Sequence, residues 1–295
     1  MPIKLEVFDE KIFDIISLEQ ELKVVASGFT FIEGPIWNEK EKHLIFNDIP
    51  ESVTYKLDKN GDVSIVIKDN NKSNGNCYDN KGRIISCEHT KSRLSMMNVD
   101  GSNRKVLISH YNGKELNSPN DVVVKSDGTI YFTDPRFGRN PSRVGVPREQ
   151  ELNFQGVFKL CSETHELTLL ADHFENPNGL CFSKDERQLF VNDSPRKTIE
   201  VFDIDNDGNL DNKRIWAVTE GEGPGLPDGM KIDSEGNLYC CAQGGLHIFD
   251  KNARCLGVVH IPEQLANFTF GGSDLKTLYL AASTTVYTIR GKVPF

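Results

Sequence analysis

Two hydrophobic patterns recur six times along the chain at a constant offset, and this constrains the fold more than any other feature. Short β-rich runs follow polar turns at HLIFND (43–48), RIISCEH (83–89), TIYFTD (129–134), QLFVND (188–193), NLYCCAQ (237–243) and TLYLAAS (277–283). Anchored on Leu44, Ile84, Ile130, Leu189, Leu238 and Leu278, they lie 40, 46, 59, 49 and 40 residues apart. That is the period of a propeller blade with some longer loops. A second series, EGPIWN, NGNCYD, NDVVVK, NGLCFS, DGMKID and NFTFGG, begins 10 or 11 residues before each anchor. Turn sequences such as Ser126-Asp127-Gly128 separate the two runs and suit a hairpin.

Two more strand-like runs follow each anchor, as in SVTYKLDKNGDVSIVI. Four strands per repeat predict an all-β fold, a six-bladed β-propeller with four-stranded blades. The last repeat has only TVYTIRG before the sequence stops. The run ELKVVASGF (21–29) is therefore expected to return and close the ring, which removes an open sheet edge. Residues 1–20 read as a short helical or irregular lead-in, and residues 21–295 as the propeller.

Composition narrows the partners. The formal net charge is -9, and no Lys/Arg run has the length of a nucleic-acid patch. Nucleic acid and anionic membranes are disfavoured, and cations and neutral solutes are mildly favoured. No apolar run approaches a membrane span. The opening MPIKLEVFDEKIFDII has neither a long apolar core nor a small-residue cleavage site, so a cytoplasmic location is expected. The 7 cysteines are odd in number, never spaced C-x-x-C, and read as reduced core thiols. Nothing in the sequence sets an oligomeric state. Asp203–Gly208 resembles half of an EF-hand loop, but the twelfth position is Arg214, so a hairpin turn is expected.

In a blade the first strand is innermost and the second returns beside it, so the start of one meets the end of the other at one mouth of the channel. The starts are Glu33, Asn74, Asn120, Asn178, Asp228 and Asn267; the ends are Asp48, His89, Asp134, Asp193, Gln243 and Ser283. Turn chemistry accounts for Asn178-Gly179 or Asp228-Gly229 singly, but not for six polar starts in phase. Carboxylate and amide oxygens on a rigid ring suit a hard cation such as Ca²⁺, Mg²⁺ or Mn²⁺. Glu33 and Asp228 would balance a divalent charge.

The segments EGPIW, CEH, LNSPNDVVVKSDGTIYFTDP, NPNGLCFS, LPDGMKID and FGGSDLKTLYLAAS resemble the gluconolactonase/SMP-30/luciferin-regenerating-enzyme family, over about residues 20–290. The resemblance implies one divalent metal, calcium foremost with Mg, Mn or Zn as alternatives, held by Glu33, Asn178 and Asp228. It implies hydrolysis of a small-molecule sugar lactone to the aldonic acid, with Asp228 as general base. The metal would polarise the lactone carbonyl and activate water. His89 is a candidate second base or oxyanion donor. Asn120, Asn74, Arg136 and Asp134 are candidate substrate contacts; the mammalian branch has an Arg where this chain has Ser118. Alternatives are an esterase or organophosphatase using the same site, or a non-catalytic propeller that binds calcium or a protein.

Overall fold

Each repeat folds as an antiparallel meander whose hairpins fall at the polar turns. In the computed structural model, which describes residues 1–140 and 142–295, the first blade is Ile32–Asn38, His43–Asp48, Val53–Leu57 and Val63–Lys68. The second runs from Ser73–Tyr78 through Ile84–Glu88 and Arg93–Met97 to Lys105–Ile108. Blades three and four begin at Val122–Val124 and Pro177–Phe182 and end at Leu167–Ala171 and Leu210–Val218. The fifth begins at Met230–Ile232 and the sixth at Leu265–Gly271. Inner strands touch their neighbours all the way round, so the six sheets close a ring. This is a six-bladed β-propeller.

Closure uses the N-terminal strand Lys23–Ser27, which pairs antiparallel with Thr285–Arg290 as the outer strand of the sixth blade. The residues ahead of it differ from a plain lead-in. Lys4–Val7 adds a fifth, outermost strand to the fifth blade by pairing with Cys255–His260. The turn of helix at Ile12–Ile15 buries Ile12, Ile15 and Ile16 against the fifth and sixth blades.

The core lies between blades. Ile32, Leu44, Phe46 and Leu57 of the first blade pack with Ala281 and Val286 of the sixth, and Ile36 and Ile45 pack with Ile84 and Met97 of the second. All seven cysteines are unpaired. The Asp203–Gly208 segment is a hairpin turn: one Asp205 oxygen accepts the N–H groups of Asp207 and Asn209 at 2.9 and 2.7 Å. Among the described residues no helix is long and apolar enough to cross a membrane. The widest repeat interval is explained by a long excursion between two strands of the third blade, residues 135–155, of which Phe137, Ser142, Arg143 and Val144 line the channel mouth.

Candidate active site

The polar strand starts occupy places where the regular ladder pauses. Register shifts fall between Glu33 and Ile36, between Ser73 and Asn76, and between Pro177 and Leu180. Such bulges re-aim side chains, here those of Glu33, Asn74 and Asn178. Asn120 and Asp228 sit just ahead of strands Val122–Val124 and Met230–Ile232. All five line one cavity of about 250 Å³ at the channel mouth.

The strand ends play a different part. Asp48 accepts the N–H groups of Thr30 and Phe31 (2.8 and 3.1 Å), Asp134 those of Asn117 and Ser118 (both 2.8 Å), and Asp193 those of Glu175 and Asn176 (2.8 and 3.2 Å). Each carboxylate thereby fixes the chain two residues before Glu33, Asn120 or Asn178. The residue preceding each Asp reaches the next blade. Asn47 donates to the Asn74 carbonyl, Thr133 to the Asn178 carbonyl, and Asn192 to the Asp228 carbonyl, at 2.7, 2.7 and 2.6 Å. Asp134 is thus a fully buried brace that does not line the cavity. Arg136 is exposed and does not line the cavity either. Its backbone N–H donates to Gln155 and Asn176, and its carbonyl accepts the Arg139 N–H. Its neighbour in the same excursion, Arg143, stands at the mouth instead.

Two relays orient amide oxygens toward the cavity. Ser194 Oγ donates to the Pro227 carbonyl at 2.6 Å, so it can only accept from Asn178 Nδ2, at 3.1 Å. The Asn178 Oδ1 atom is left buried and without a partner. His89 does the same for Asn74. Its Nδ1 faces the Val144 carbonyl at 3.0 Å and must carry the proton, so Nε2 accepts from Asn74 Nδ2 at 3.3 Å. The imidazole is fully buried, and that burial depresses its pKa to about 4. His89 is a candidate second base or oxyanion donor on sequence grounds. The structure sets it behind Asn74, outside the cavity, with both nitrogens engaged.

The floor is acidic. Glu33 Oε2 accepts the Gly34 N–H at 2.6 Å and an amide hydrogen of Asn267 at 2.9 Å. Burial, and then the neighbouring carboxylate of Asp121, push the Glu33 pKa upward. Burial, Glu33 and Asp121 push Asp228 well above the usual carboxylate range. Two residues missed in the sequence belong to this channel. Asp121 keeps a buried, unpartnered Oδ2, and the Lys231 ammonium supplies opposing charge. Their signal lies one residue past Asn120 and three past Asp228, inside the runs rather than at their first residue.

An orphaned amide oxygen in one cavity with two mutually repelling carboxylates is a donor set that suits a hard cation, so Glu33, Asn178 and Asp228 fit a divalent ion. Among the described residues there is no group of three or more His, Cys, Asp and Glu that could hold one.

Comparison with known proteins agrees with this architecture. The model of the SMP-30/Gluconolactonase/LRE-like region matches residues 31–284. A gluconolactonase of Zymomonas mobilis is 32% identical, over 98% of this chain and 86% of its own. The pentonolactonase XacC of Haloferax volcanii is 25% identical over 88% of this chain and 84% of its own. The solved structure of XC5397, a gluconolactonase from Xanthomonas campestris, superposes with a TM-score of 0.90 at 30% identity, covering 97% and 94% of the two chains.

Proposed function

This chain belongs to the SMP-30/gluconolactonase/LRE-like family, and from that membership we propose that it opens a sugar lactone to the aldonic acid with the help of one divalent cation. The observation that carries the reading is the cavity floor. Glu33 and Asp228 are held together against their mutual repulsion, beside an Asn178 oxygen that has no partner. Glu33, Asn178 and Asp228 would hold the cation, with calcium the foremost candidate. When bound, the cation supplies polarisation of the ester carbonyl and compensation of the charge that develops on its oxygen.

The chain's own residues supply the rest. Asn74 and Asn120 border the cavity and can take ring hydroxyls of the lactone. Asp228, partly accessible at the floor, accepts the proton of the attacking water. Phe31, Phe137 and Val144 narrow the mouth and limit competing solvent. A panel of aldonolactones assayed with and without a chelator tests the reading. Lactone opening that a chelator abolishes and one divalent metal restores is the expected result. Failure to open any lactone at any metal concentration would overturn it.

A further inference from the structure

The cavity carries one charge that its floor does not explain. Arg143, on the 135–155 excursion, lines the mouth with its guanidinium carbon 3.8 Å from the centre of the Phe31 ring. Phe31 is a firm platform, because the Asp48 carboxylate holds its backbone N–H at 3.1 Å. The Arg143 backbone is tied from below. Lys72 Nζ reaches the Arg143 carbonyl at 3.5 Å, and the adjoining Val144 carbonyl takes His89 Nδ1 at 3.0 Å.

Arg143 is exposed, and its guanidinium has few protein partners. Among the described residues its one side-chain hydrogen bond is a 3.4 Å contact from Nη2 to Gln264 Oε1. Among the described residues no carboxylate lies within ion-pair distance of it, although acidic residues outnumber basic ones 43 to 34 in the chain. By contrast, the buried Arg139 on the same excursion is paired with Glu115 at 2.5 Å. A partly desolvated guanidinium keeps strong, directional donors for a carboxylate or phosphate. The Lys72 ammonium beneath adds positive potential on the same side.

We propose that Arg143 is a specificity-determining residue that selects lactones carrying an anionic group, a phosphate ester or a carboxylate, at the end remote from the ring carbonyl. This rests on the lactonase reading and names the substrate class of that site. The reacting carbonyl goes to the acidic, amide-lined floor, and the anionic tail meets Arg143 at the rim. Both kinds of anion offer the paired oxygens that a guanidinium fork matches.

The test compares kcat/KM for three probes: a neutral aldonolactone, the same lactone phosphorylated on its terminal hydroxyl, and an aldarolactone with a terminal carboxylate. Wild type should favour at least one anionic probe over the neutral one, and the favoured probe identifies the anion. Arg143→Gln should lower kcat/KM for that probe by roughly ten- to a hundredfold more than for the neutral one, as for losing a hydrogen bond to a charged group. Arg143→Lys should recover part of the preference, and added salt should erode it in wild type. Equal losses on all three probes, or a wild-type preference for the neutral lactone, would overturn this inference alone. A metal-loaded wild type that opens none of the three brings down the lactonase reading and this inference together. Thermal unfolding of both variants, matched to wild type, separates recognition from a displaced excursion.

Discussion

The side-chain amide of Asn192, at the end of the second strand of the fourth blade, donates a 2.6 Å hydrogen bond to the backbone carbonyl of Asp228 in the fifth. The bond crosses a blade boundary and ends on the residue assigned the proton-accepting role. Asn192 is fully buried, and its Oδ1 has no partner, so this bond is the amide's one anchor. Asn192→Ala should leave the Asp228 carbonyl unsatisfied and destabilise the fold by about 1–3 kcal/mol. Because the carbonyl is free to move, kcat should fall more than KM rises. Denaturant unfolding and steady-state kinetics check this together; a stable variant with wild-type kcat would show that the bond positions nothing.

Asp228 itself gives the sharpest test of chemistry. Asp228→Asn keeps the size and one candidate ligand oxygen but removes the base and a charge. Hydrolysis should fall on the order of a hundredfold or more. Loss of the cation would mimic this result, so metal content must be measured beside the rate. A metal-loaded variant with near wild-type kcat would move the base elsewhere.

The buried imidazole of His89 makes stability depend on pH. Burial lowers its folded pKa to about 4 from an ordinary 6.5. Between those values the unfolded chain binds a proton that the folded chain refuses, so the His89 contribution is whole above pH 6.5 and is lost as pH falls toward 4. The shift corresponds to on the order of 3 kcal/mol. Buried carboxyls titrate in the opposite sense, so the readout is a difference. The stability gap between wild type and His89→Gln should shrink on acidification, and a gap independent of pH would remove the neutral-imidazole assignment.

Blade contact at the site leaves no room for a methyl group at Gly179. A Cβ there would collide with the backbone carbonyl oxygen of Asp228, and Asn192 Nδ2 is close by. Gly179→Ala should therefore cost about 2–3 kcal/mol by overpacking and displace the floor of the cavity. Unfolding midpoint and activity should drop together. Unchanged values in both would mean the blades can part without penalty.

Much of this was legible without coordinates, for a physical reason. A blade must alternate buried strand with polar turn on a nearly fixed length, so six repeats print a period on the chain. The short final repeat likewise required a strand from elsewhere, and Lys23–Ser27 supplies it. The six polar starts were readable because apolar strand follows each at a constant offset; Glu33, Asn74, Asn120, Asn178 and Asp228 line the cavity, whereas Asn267 stands behind Glu33 and donates to it.

The tertiary structure decided what period cannot carry. Asp134 looked equivalent to a site residue, but its two oxygens are consumed by the N–H groups of Asn117 and Ser118, donors brought back by the chain entering its own blade. Arg136 and Arg143 share one excursion of irregular backbone, where nothing repeats, and only packing on Phe31 brings the second to the mouth. His89 ended its strand in register with the other candidates, but the Val144 carbonyl from that excursion claimed one nitrogen and Asn74 the other. The sequence alone determined which residues stand near the channel, because strand spacing is local. Which of them face the cavity was settled by hydrogen-bond partners distant in the chain, since a buried polar group turns toward whichever neighbour satisfies it.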